Sequence, residues 1–138
     1  MESTLPKPAL VAARTSPKAV SVVFWIATVL FCLEMGFTAF AQLSLKDAAD
    51  GFTRLGFPGY FRVELAWAKV LGILVLLAPV PARLKEWAYA GFAINLVSAL
   101  IAHFAVGDGP EAWGFAAFTS VLWVLSYGAW RGLQGAGR

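Results

Sequence analysis

The chain is short of the groups from which soluble domains and most cofactor sites are built. Charged residues make up 14% of its 138 positions, against about 25% in soluble domains. It has one cysteine, Cys32, and one histidine, His103. A lone cysteine excludes an intrachain disulfide and a Cys-x-x-Cys redox pair, and inside an apolar run it reads as a buried, inert thiol. A lone histidine excludes bis-histidine haem ligation and a multi-histidine metal centre built from this chain alone. Glu-x-x-His is absent, so a ferritin-like di-metal site is unsupported and no metal is expected. No flavin, haem or iron–sulfur motif is present, so no intrinsic cofactor is expected. The eleven basic residues are scattered, without the clustered patch of a nucleic-acid binder. The alternating ten-residue segments of a membrane β-barrel are also missing.

What the chain does have is apolar length. Hydrophobic residues make up 59% and the mean hydropathy is +0.71, which places it among membrane proteins. Four runs of about 20 residues, 19–43, 60–78, 86–106 and 111–130, each match a hydrocarbon core of ~30 Å. Ala39-Phe40-Ala41 resembles a signal cleavage site, but the run before it exceeds the usual ~7–15 residues and contains Glu34, so it reads as a span. Between the first two spans, Lys46, Asp47, Asp50 and Arg54 alternate with Leu45, Ala48, Phe52 and Leu55, the pattern of a short amphipathic interfacial helix. Gly56 and Pro58-Gly59 end it. The fold class is therefore all-α: a four-helix transmembrane bundle with that short helix after the first span. Residues 1–18 read as a mobile cytoplasmic tail, 19–131 as the membrane domain and 132–138 as a flexible tail.

Basic residues set the orientation. Lys7, Arg14, Lys18, Arg83, Lys85, Arg131 and Arg138 fall on one side; Lys46, Arg54 and Arg62 fall on the other. The excess favours both termini in the cytoplasm of a bacterial inner membrane. Trp25, Trp87, Trp113, Trp130 and Tyr60 lie near span ends, as an aromatic belt would. Gly128 and Gly132 match G-x-x-x-G, which adds a homo-oligomer as an expectation.

The stretch 60–78 carries Glu64 and Lys69 at membrane depth, where a charge costs roughly 2.5–3.5 kcal/mol on insertion scales. Such groups face a bundle interior or a pocket. Glu34, Lys69 and Asn95 all fall roughly 12–14 Å below the outer face at 1.5 Å per residue. Gln42, Glu64 and His103 lie nearer the mouth, and the inner half has no comparable group. Glu34, Thr38 and Gln42 form one helical stripe. Glu64 and Lys69 point about 140° apart, so Lys69 is expected to pair with Glu34, and Glu64 with His103 or Arg62.

Leu55-Gly56-Phe57-Pro58, Glu64 with Lys69-Val70-Leu71-Gly72, the run from Arg83 to Gly91, and His103 followed by Gly107-Asp108 together resemble the DoxX-like family of small bacterial membrane proteins. The likeness covers about residues 20–130. It implies a four-helix membrane bundle and an association with membrane oxidoreductases such as thiosulfate:quinone oxidoreductase. It supplies no catalytic set.

The residues expected to carry chemistry therefore come from depth: Glu34, Glu64, Lys69 and His103 as proton-handling or donor groups, and Gln42, Trp67, Asn95 and Asp108 as contacts to a bound molecule, with Phe37 and Phe104 beside Trp67. A quinone, or another apolar small molecule, needs an apolar slot, a donor and a proton relay. The first functional expectation is thus a redox-linked subunit in the lipid bilayer, receiving electrons from a soluble or membrane partner. The second is a stand-alone enzyme doing acid–base chemistry on a lipid-soluble substrate, as an isomerase, cyclase or hydrolase. The third is a non-enzymatic carrier or assembly protein.

Overall fold

The computed structural model describes residues 16–136, and the body of the expected N-terminal tail lies outside them. Those residues are 88% helical, with no strand among them. In chain order the helices are α1 (Pro17–Ser44), α2 (Lys46–Arg54), α3 (Gly59–Leu77), α4 (Ala82–Ala105) and α5 (Pro110–Ala136). α1 starts earlier than apolar content suggests because Ser16 Oγ accepts from the Ala19 amide at 3.2 Å and Pro17 occupies the first turn. α5 continues past Trp130, through Gly132 and Gly135, to Ala136. Most of the stretch expected to be a loose tail is therefore helical, with Gly132 set against Val20 of α1.

α1, α4 and α5 are long and apolar enough to cross a membrane. α3 is equally apolar in its second half but carries Arg62, Glu64 and Lys69. The four long helices pack in a ring: α1 lies on α3 and α5, and α4 lies on α3 and α5, with neighbours antiparallel. The register is visible in Val20–Gly132, Thr28–Ser126 and Glu34–Thr119 between α1 and α5. Large apolar side chains such as Ile26, Leu33, Leu71, Ile94, Ile101 and Val121 face outward on all four. An exposed apolar surface of that extent belongs against lipid or a partner.

Turn chemistry fixes how the helices join. α2 ends in a Schellman motif: Gly56, at φ 91°, donates to Thr53, and Phe57 donates to Phe52 at 2.9 Å. α4 ends the same way. Gly107, at φ 78°, donates to Phe104, and Asp108 donates to the His103 carbonyl at 2.9 Å. At the other end, Lys85 Nζ donates to the Leu76 and Ala78 carbonyls at 2.7 and 2.9 Å. A cation there satisfies the open carbonyls that end α3.

The half of the ring far from α2 is not purely apolar, which corrects one expectation. Ser126 Oγ sits 2.5 Å from Thr28 Oγ1 and 2.7 Å from Tyr89 Oη, and all three side chains are buried. Trp123 donates to the Tyr89 carbonyl, and Glu86 accepts from Tyr127 and Arg131. Trp130, expected in an aromatic belt, is buried against Tyr89. Around this knot Phe31 meets Phe92 edge to face, with centroids 4.9 Å apart.

A Cβ at Gly72 would lie 2.7 Å from the Phe92 ring, and Phe31 limits where that ring can go. Gly72→Ala should therefore destabilise the fold by about 1 kcal/mol, at the low end of overpacking costs. A melting temperature equal to wild type would show that the ring moves freely.

Candidate functional site

At the α2 end, α1 and α3 are clasped reciprocally. Gln42 Nε2 donates to the Arg62 carbonyl at 3.0 Å, and the Arg62 guanidinium donates to the Gln42 carbonyl. The guanidinium thus meets a carbonyl left open in the last turn of α1. This register brings Lys69 Nζ to Thr38 Oγ1 at 3.1 Å and to Gln42 Oε1. Lys69 is only 7% exposed. Among the described residues it has no carboxylate partner within ion-pair distance.

Lys69 lies in the wall of a cavity of about 530 Å³ inside the ring, bounded by residues of all five helices. Thr38, Gln42, Asn95, His103 and Thr119 contribute the other main polar groups, and the remaining wall is largely apolar. One side is aromatic: Phe57 stacks on Phe61 with centroids 5.0 Å apart, and Phe52 follows at 5.8 Å from Phe57. α2 closes the end of the ring, turning Ala48, Phe52 and Leu55 inward. Its amphipathic pattern is thus resolved as a lid with its apolar face over the cavity.

The lid is tied down through Asp108. Arg54 donates to both Asp108 oxygens at 2.9 Å, a bidentate pair. The Gly107 turn folds Asp108 back over the end of α4, so that its Oδ2 also lies 2.6 Å from His103 Nδ1. The Arg54 guanidinium first, and His103 second, hold the Asp108 carboxyl down at about 2, and Asp108 raises the Arg54 pKa in turn. A depressed carboxylate contributes fully above its ordinary value near 3.8 and loses that contribution as pH falls through about 2. Amide protection of α2 should therefore persist from neutral pH to about pH 4 and decline towards pH 2. In Arg54→Gln it should already be reduced at neutral pH. Equal protection in the two proteins would mean that the pair does not secure the helix.

The structure brings Lys69, Gln42, Asn95 and His103 to one cavity, with Asp108 behind His103. Two expected pairings are replaced. Glu34 accepts from the buried Thr119 on α5 rather than from Lys69. His103 bonds Asp108, and Arg62 bonds Gln42, so neither meets Glu64. Glu64 and Trp67 are exposed on the outer face of α3, Trp67 at 59%. Phe37 and Phe104 also face outward.

Sequence reasoning missed Thr119 and Arg54. Thr119 sits in an apolar helix and looks like any intrahelical threonine. Arg54 reads as a charge on a solvated face. Among the described residues no cluster of His, Cys, Asp and Glu could hold a metal ion, and every buried side-chain nitrogen or oxygen has a hydrogen-bond partner.

The model of the DoxX-like family matches residues 26–126, a stretch that contains every residue of the cavity wall. No curated protein matches the chain, and no solved structure does.

Proposed function

Because the chain belongs to the DoxX-like family and three of its helices are long and apolar enough to cross a bilayer, it is a multi-pass membrane protein, and we propose that its cavity binds an apolar small molecule with a hydrogen-bond-accepting head, a quinone being the candidate of choice. In this reading all four long helices span the bacterial inner membrane as a four-helix bundle. Both termini are cytoplasmic, and α2 lies at the periplasmic surface. The chain is then the quinone-binding subunit of a redox system. Electrons come from a soluble or membrane partner that holds the redox centre.

The observation that carries this is Lys69. A buried ammonium is costly, and a structural one is normally matched by a carboxylate. Here both partners are neutral, and Nζ has three N–H bonds to give. An acceptor in the cavity would complete the set. A 530 Å³ space falls within the usual range of small-molecule sites, about 300–1,000 Å³.

The test is a titration of purified protein in lipid nanodiscs with a tailless quinone, followed by melting temperature and tryptophan fluorescence. A saturable shift is expected. Its absence with every quinone tried would remove quinones from the reading. Orientation is checked by maleimide labelling of intact cells. Cys32 is buried and gives little background, so Asp50→Cys should label from outside and Arg83→Cys only after permeabilisation.

One observation favours an acid–base enzyme as a second reading. Asp108 holds His103 Nδ1, which directs Nε2 to other partners beside the cavity, as in an oriented imidazole base. Product formed by the isolated protein from a lipid-soluble substrate, and abolished in His103→Gln, would select this reading over the first.

A further inference from the structure

A second cavity, of about 450 Å³, runs along the outside of the ring between α3 and α4. It shares Leu65, Lys69, Gly91 and Asn95 with the interior cavity. The four shared residues place the two spaces side by side at the level of the buried ammonium. Gly91 forms part of the junction, where a Cβ would meet nothing within 4 Å. From there the groove descends α3 as far as Val75, opposite Leu84 of the antiparallel α4, a length of ~10 Å at 1.5 Å per residue. The charged and amide groups, Lys69 and Asn95, occur only at the upper end. Below it the walls are apolar, and Leu71 and Trp87 stand at the outer edge, largely exposed. The axial route into the cavity is covered by α2 and its Arg54–Asp108 tie.

We propose that the ligand of this site is tailed: its polar head sits in the interior cavity, and a single aliphatic chain of isoprenoid type passes out beside Gly91 and lies in the α3–α4 groove. The inference rests on the small-molecule reading above and adds the class of molecule and its lateral route from the bilayer. Two adjoining spaces, one holding Thr38, Gln42, His103 and Thr119 beside the shared Lys69 and Asn95 and the other lined mostly by hydrocarbon, match a molecule with a polar head and an apolar tail. A chain leaving lipid for an apolar groove gains little from the hydrophobic effect, because lipid is equally apolar. What the groove supplies is shape, so obstructing it should discriminate between tailed and tailless ligands.

The experiment uses the full chain in nanodiscs with two probes, a tailless benzoquinone and the same ring bearing an isoprenoid tail. Each is titrated against wild type, Ala88→Leu and, as a second obstruction, Ala68→Leu, two positions that line the groove and not the interior cavity. Comparing variant with wild type for one ligand at a time cancels that ligand's partitioning into lipid. Obstruction should weaken the tailed quinone about tenfold and leave the tailless ring within about twofold. Wild type that binds both probes, with variants that do too, would overturn the tail inference and leave the head site standing. Wild type that binds neither would remove the functional reading and this inference with it. Phospholipid that co-purifies with wild type and is displaced by obstruction, without change for either quinone, would assign the groove to ordinary lipid and overturn the proposal.

Discussion

Lys69→Met should weaken quinone binding by about tenfold to a hundredfold, the equivalent of one hydrogen bond from a charged donor, and should leave the protein folded. Methionine keeps most of the volume and removes the donor. The fold loses the bond from Lys69 to Gln42 Oε1, and a stranded buried acceptor costs about 1–3 kcal/mol. Against that, an ammonium no longer has to be held in a largely apolar wall, and that penalty is several kcal/mol per ion in real proteins. Thr38 keeps its own bond to the Met35 carbonyl at 3.0 Å. The melting temperature should therefore hold or rise as binding weakens. The opposite pattern, a large drop in melting temperature with binding per folded molecule unchanged, would make Lys69 a structural residue and take away the observation on which the function rests.

The second large effect is on stability, at the far end of the ring. Ser126→Ala should cost about 1–3 kcal/mol, because it strands two buried hydroxyls at once. Thr28 and Tyr89 both bond Ser126 Oγ, and Ser126 is fully buried. The triple variant Thr28→Val, Ser126→Ala, Tyr89→Phe removes every member together. Replacing all partners by apolar groups of similar shape is close to neutral, so the triple should cost less than the sum of its singles. Non-additivity is the signature of one network. Chemical or thermal unfolding in detergent, with single and triple variants side by side, measures it. Strict additivity would mean that the three hydroxyls act independently.

Much of this arrangement is legible in the residues. Gly56 and Gly107 sit where left-handed turns were needed. Lys46 to Arg54 alternates as an amphipathic helix must. Gln42, Lys69, Asn95 and His103 converge in depth because distance along a helix is simply 1.5 Å per residue. Family membership was also readable, from short motifs that the family match over residues 26–126 includes.

Rotation about each helix was harder to read. In water, the inward face of a helix is its apolar face. In a bilayer both faces are apolar, so the 3.6-residue pattern loses contrast. Trp67, Phe37 and Phe104 could be given a depth but not a side, and all three turned out to face outward. Polar pairing failed for a related reason. A carboxylate at depth needs a donor, and the nearest formal charge is the obvious candidate. Glu34 instead meets a threonine from α5, a residue that carries no charge to advertise it.

Sequence alone determined that the chain is helical, where it turns, which family it joins and which polar groups lie at a common level along its helices. These depend on local propensity, apolar length and rise per residue, and none needs a neighbour. Tertiary structure alone decided that Lys69 has neutral partners, that α2 is tied across the cavity through Arg54 and Asp108, and that a groove on the outside shares Lys69, Gly91 and Asn95 with the cavity. Each of those depends on how two helices are rotated against each other, and a chain that is apolar all round does not record that angle in its order of residues.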